Sequence, residues 1–252
     1  MHLVFRVTDT PLRVLDDLTG RAAPREVGCV VVGGARSAFY LRDVSVPVCS
    51  VEVQFRPGAV PLLFGAGADA LAERHTRLED LWGREASEVR SRIAEAGSLE
   101  AQVAVLEAVL ASRLPTVRGL HPAVAEALEH FAHHADVDPV LARSGFSQRH
   151  FIRLFRGAVG LGPKTFARVR RFQRALGCFG PGASLAQVAL ASGYADQSHF
   201  NREFLALAGI TPAEYVRAAP GAGNHVATQV AMASSIRAFA NSTEQRNRRD
   251  RG

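Results

Sequence analysis

The chain has 252 residues, room for two domains of ordinary size, and its 47% hydrophobic and 21% charged content is that of a folded protein. No run of about 18 apolar residues is present, which argues against a helical membrane span. Cys29, Cys49 and Cys178 lie far apart with no C-x-x-C, giving neither a disulfide framework nor a zinc-finger spacing. The formal charge of +6 is unevenly spread: residues 137–218 carry eleven Lys and Arg against four Asp and Glu, while the rest of the chain carries nineteen against twenty. Between Arg149 and Arg174 there are eight basic residues and no acid. Such a stretch calls for a polyanion, and nucleic acid is the first candidate. The start, Met1-His2-Leu3-Val4-Phe5-Arg6, has no basic segment before an apolar core, so no secretory leader is expected and the chain reads as cytoplasmic.

In chain order, 26–32, 38–42 and 46–55 are short runs rich in Val, Phe and Tyr, separated by Gly, Pro and Ser, and they read as strands. Thr76-Arg77-Leu78-Glu79 has the pattern of a capping box, which predicts a helix through Trp82 to about Ala96, stopped by Gly97. Ser98 caps a second, with Leu99, Val103, Leu106, Leu110 and Leu114 at helical spacing. The stretch 114–119 reads as a linker, and Pro122 opens a helix to about His134.

Beyond Val137 the chain repeats itself. His150-Phe151-Ile152-Arg153-Leu154-Phe155 returns 49 residues later as His199-Phe200-Asn201-Arg202-Glu203-Phe204. Phe155, Gly160, Pro163 and Phe166 correspond in step to Phe204, Gly209, Pro212 and Tyr215. Each copy reads as a short helix, a turn through glycine, a capped second helix and then G-x-x-P leading onward. That is a helix-turn-helix, whose second helix enters the DNA major groove. Arg149, Arg153 and Arg156 share one side of that helix in the first copy, opposite Phe151, Leu154 and Phe155. In the second copy Ser198, Asn201 and Arg202 lie opposite Phe200 and Phe204. The first copy departs from the pattern in two ways: Leu141 stands where the second has the small Ala189, and Asp138-Pro139 starts its first helix late, leaving barely over one turn.

At these residues, above all Gly193-Tyr194-Ala195-Asp196-Gln197-Ser198-His199-Phe200-Asn201-Arg202-Glu203-Phe204 and Gly209-Ile210-Thr211-Pro212-Ala213-Glu214-Tyr215, the sequence resembles the AraC/XylS family of bacterial transcriptional regulators. The resemblance covers about 120–218 and implies two helix-turn-helix units joined by a rigid helix near 163–178. Residues 1–113 resemble the N-terminal portion found in one branch of that family, where such a region senses a ligand or dimerises.

The expected fold class is therefore α+β. A β-rich then helical N-terminal region spans 1–115, an all-α tandem helix-turn-helix domain 120–218, and a disordered tail 219–252, in which 227–240 has a faint helical pattern. Base contacts are expected from Arg149 and Arg153 in the first copy and from Ser198, Asn201 and Arg202 in the second. Backbone contacts are expected from Gln148, His150, Arg156, Lys164, Arg170, Arg171, Arg174, Gln197 and His199. The expected partners are double-stranded DNA, a small-molecule effector at the N-terminal region and a second copy of the chain, with no membrane. Neither a cofactor nor a metal is expected: His130, His133 and His134 share a helix face without a completing ligand, and no histidine lies between His2 and His75. Ser37 and Ser50 have no histidine base in sequence reach, so catalysis is not expected. The rival reading is a ligand-binding or dimerisation module with nonspecific DNA affinity.

Overall fold

The computed structural model describes residues 1–15, 23–115, 119–180 and 182–220, together with the backbone of 225–229 and 235–239. Two antiparallel sheets make up the N-terminal part. The first has the order β6(Ser50–Gln54), β1(His2–Arg6), β4(Val30–Gly33), β7(His75–Arg77). The second runs β3(Arg25–Gly28), β2(Leu12–Leu15), β5(Tyr40–Asp43), β9(Ser235–Phe239), β8(His225–Gln229).

Alternation along the strands decides what each face meets. In β1, Leu3 and Phe5 are fully buried in an apolar core with Val30, Val32, Phe64, Trp82, Val89 and Ile93. That core lies under α1(Val60–Phe64), α2(Ala68–Leu71), α3(Glu79–Trp82), α4(Glu85–Glu95) and α5(Leu99–Arg113). The alternate residues His2, Val4 and Arg6 line a space toward the second sheet. Likewise Val31 of β4 packs with Leu12, Val14 and Val27 of the second sheet, which is why all four residues of β4 are buried.

The region 122–218 is helical: α6(Pro122–His133), α7(Asp138–Ser144), α8(Gln148–Val159), α9(Pro163–Cys178), α10(Leu185–Ala191), α11(Gln197–Ala208) and α12(Pro212–Ala218). One apolar cluster runs through it, from Phe131, Phe155 and Phe166 at one end to Phe172, Phe204 and Tyr215 at the other. Edge-to-face ring pairs, with centroids 5.5 Å apart for Phe155–Phe166 and 5.1 Å for Phe172–Phe204, tie both units to α9.

Several expectations are corrected. The run 26–32 is two strands in different sheets, split at Cys29, and β1 and β2 were not anticipated. Thr76 is not a helix cap: 75–77 pair with 31–33 as β7, and the helical run is broken at Gly83 (φ 60°) into α3 and α4. Period-2 pairing with β4 outweighs the local capping pattern. Helix α7 has seven residues, as does α10, so the first copy does not start short. The tail expected to lack structure, with faint helical character in 227–240, instead contributes the hairpin β8–β9 to the edge of β5. Residues 116–118 of the expected linker and 240–252 fall outside the described residues.

Candidate nucleic-acid interface

Helix α8 begins at Ser147, whose hydroxyl accepts the His150 N–H at 3.4 Å, and ends at the left-handed Gly160. Phe151, Phe155 and Val159 are buried on one face. The opposite face carries Arg149, His150, Arg153 and Arg156, all exposed, and Gln148 in the first turn is exposed as well. Arg153 Nη2 lies 3.3 Å from His150 Nδ1, and the His150 ring stacks on Phe146 at 4.7 Å. The exposed guanidinium groups therefore stand on a helix whose inner face is locked by aromatic packing.

Helix α11 is built to the same plan with a stronger start. Asp196 Oδ1 accepts the His199 N–H at 2.7 Å, and Phe200, Phe204, Leu207 and Ala208 are buried. Gln197, Ser198 and Arg202 are exposed. Arg153 and Arg202, equivalent by the 49-residue repeat, thus occupy the same outward position on both helices. Asn201 is half-buried with Oδ1 enclosed and without a partner among the described residues, so it is the least available of the three residues expected to read bases in this copy.

The linker helix places the residues expected to contact the backbone at different depths. Lys164 is exposed, but Arg168, Arg170, Arg171 and Arg174 are all half-buried. Arg171 donates to both carboxylate oxygens of Glu203, at 3.0 and 2.9 Å from Nη2, and its guanidinium lies 4.6 Å from the Tyr194 ring centroid. Burial, the largest single cause, lowers Arg171; the hydrogen bonds and charge of Glu203, with Tyr194, together outweigh it, and the net shift is upward. Arg168 Nε and His199 Nε2 approach the same carboxylate at 3.5 and 3.7 Å. Three cationic or imidazole groups thus converge on one nearly enclosed acid. Arg170 lines a cleft against Arg56 and Gly58 of the N-terminal part, and burial followed by Arg170 and Arg171 lowers Arg174. Arg171 is thus engaged by Glu203 inside the domain, while Arg170, Arg174 and His199 are half-buried beside it.

Glu203 was the residue missed. It is the only acid in the repeated H-F-x-R-x-F motifs, and its standing where the first copy has the apolar Leu154 was the available signal.

The N-terminal sheets enclose a second candidate site. His2, Arg6, Tyr40, Arg42, Ser50 and Glu52 line a polar cavity between them, an unusual interior for a β-sandwich. Arg6 is 4% exposed, and its Nη1 donates to the Thr10 and Pro11 carbonyls, each at 2.9 Å. Nearby His75 packs edge-on to Tyr40 at 4.5 Å and receives Arg36 Nη2 at Nδ1, 3.3 Å away. Burial, then Arg36, pushes its pKa down to about 3, so the ring is neutral at ordinary pH. Burial likewise raises Glu52. Strand pairing also brings His2 and His75 to 6.3 Å between ring centroids, a proximity hidden by their separation in sequence. Among the described residues no three His, Cys, Asp or Glu side chains converge as a metal site would need, and no helix is long and apolar enough to cross a membrane.

Comparison with known proteins gives the class. Residues 140–218 match the family described as "Helix-turn-helix domain". This part of the chain is an AraC-type helix-turn-helix, a DNA-binding domain. The crystal structure of ToxT from Vibrio cholerae O395 is similar over 88% of this chain and 90% of that one, with 12% sequence identity and a TM-score of 0.41. No curated protein sequence matches the chain.

Proposed function

We propose that the protein is a sequence-specific regulator that inserts α8 and α11 into successive turns of the DNA major groove. The observation that carries this reading is the paired exposure of Arg153 and Arg202 on helices whose opposite faces are buried. Arg149 and Arg153 read bases in one turn, and Ser198 and Arg202, with Asn201 beside them, in the other. Gln148, His150, Arg156, Lys164 and Gln197 contact phosphates. At 16 residues, α9 spans about 24 Å, which with the width of the two units suits elements about 34 Å apart.

A small-molecule effector acts at the N-terminal region, where polar residues line a space of about 20 Å³ between the sheets that must widen to admit it. The exposed Leu99, Val103 and Leu114 on or just beyond α5 support a second copy as partner, checked by sedimentation over a range of concentrations. The main test is selection of full-length protein on a random duplex library, followed by Arg202→Ala on the enriched site. The variant is expected to lose about 1–3 kcal/mol on that site and to relax one or two base pairs. An equal loss on random duplex would sink the base-reading role.

A further inference from the structure

The two recognition helices end at equivalent glycines. Gly160 closes α8 and Gly209 closes α11, 49 residues apart, both left-handed at φ 94° and 72°. Each N–H bonds back into its helix at 2.8 Å, to the Arg156 and Leu205 carbonyls. Both caps are touched by one short segment of the N-terminal part, the loop 34–39 between β4 and β5. A Cβ at Gly160 would lie 3.0 Å from Ala35 Cβ and 3.1 Å from the Ala68 carbonyl oxygen, and a Cβ at Gly209 would lie 2.5 Å from the Phe39 ring. Both glycines are thus required twice, by backbone conformation and by close approach. Ala35 is buried within the core of the DNA-binding domain.

Phe39 follows Ala35 by four residue steps, so at most about 14 Å of chain joins the two contact points. The segment is also held from behind. Gly34 N–H donates to the Arg74 carbonyl at 2.9 Å, and Glu73 N–H donates to the Ala35 carbonyl at 2.9 Å. Ser37 donates to Glu73 Oε1 from its N–H at 2.9 Å and from its hydroxyl at 2.6 Å. Helix α9 is one tie between the two units; this loop is a second, and together they close a ring.

We propose that the β4–β5 loop is a brace that sets the relative placement of the two recognition helices, with Ala35 and Phe39 as positioning residues that fix the spacing at which DNA is read. The proposal rests on the two-element reading above. Two linked binding elements reinforce each other only when their separation matches that of the sites. A stiff brace therefore concentrates affinity at one spacing and withholds it at others. Tyr40, next after Phe39, lines the cavity between the sheets, so occupancy there has a short path to the brace.

The test uses the full chain as wild type, Phe39→Ala and the milder Ser37→Ala, which frees the loop without removing a packed ring. Hydrogen exchange is read at the two caps, and affinity on the enriched duplex with zero, one or two base pairs added or removed between its elements. Phe39→Ala should speed exchange near Gly209 several-fold. It should also weaken the natural spacing about tenfold, flatten the spacing profile and leave single-element duplexes unchanged; Ser37→Ala should shift the same way by less. Unaltered exchange in both variants would overturn the brace whatever the DNA results. Faster exchange with an unaltered spacing profile would overturn its positioning role. If wild type enriches no two-element site, the functional reading fails separately, and exchange at the caps alone decides whether the brace exists.

Discussion

In the second helix-turn-helix unit Glu203 binds Arg171 of the linker helix through both carboxylate oxygens; at the equivalent place the first unit has Leu154. The second unit also carries three side-chain caps: Ser184 with Gln187 on α10, Asp196 on α11 and Thr211 with Glu214 on α12. In the first, α7 and α9 have no side-chain cap, and Ser147 makes the longer bond already described. The first unit is tied instead by Arg143, which donates to Glu126 of α6 at 2.6 Å, and from outside, where α2 and Ala35 close on Gly160. A duplicated sequence thus keeps its aromatic core and outward arginines while its two copies tie to different partners, the second to the linker helix through Glu203 and the first to α6 through Arg143.

The largest effect that separates the copies is expected at the ion pair. Arg171→Ala should destabilise the protein by about 3 kcal/mol, because it leaves the nearly enclosed Glu203 short of its main partner. Replacing both, as Arg171→Met with Glu203→Leu, should recover most of the loss. Urea unfolding of the three proteins checks this, and a double variant no better than the single one would contradict the account. Acid should act on the opposite side of the comparison, through the N-terminal part that props the first unit. His75 has a folded pKa of about 3 against an ordinary 6.5, so the unfolded chain takes up the proton first. Stability contributed by the neutral ring is complete above about pH 6.5 and is lost as pH falls toward 3. Between pH 7 and pH 5 the loss should be about 2 kcal/mol. Unfolding midpoints at both values measure it, and His75→Phe should flatten the slope.

Arg153→Ala and Arg202→Ala, compared on the same enriched duplex, should each cost about 1–3 kcal/mol but relax different base pairs. Relaxation at the same position by both would contradict the assignment of one groove turn to each copy. Smallest are the caps. Asp196→Ala should cost about 1 kcal/mol and Ser147→Ala about half that, in line with bonds of 2.7 and 3.4 Å. Thermal unfolding of both variants measures the difference.

The sequence by itself determined the duplicated unit, the linker helix from Pro163 to Cys178, the cap at Ser98 and the aromatic face of each recognition helix. These are set by contacts within a turn or two of helix, where spacing along the chain equals spacing in space. Only the tertiary structure decided which arginines stay outside, because the partner that takes up Arg171 is 32 residues away on another helix. It also decided that Thr76 pairs with Val32 rather than capping a helix, that His2 meets His75, and that Ala35 and Phe39 reach the two glycine caps. Those outcomes depend on strand pairing and docking between distant segments, which no local period records.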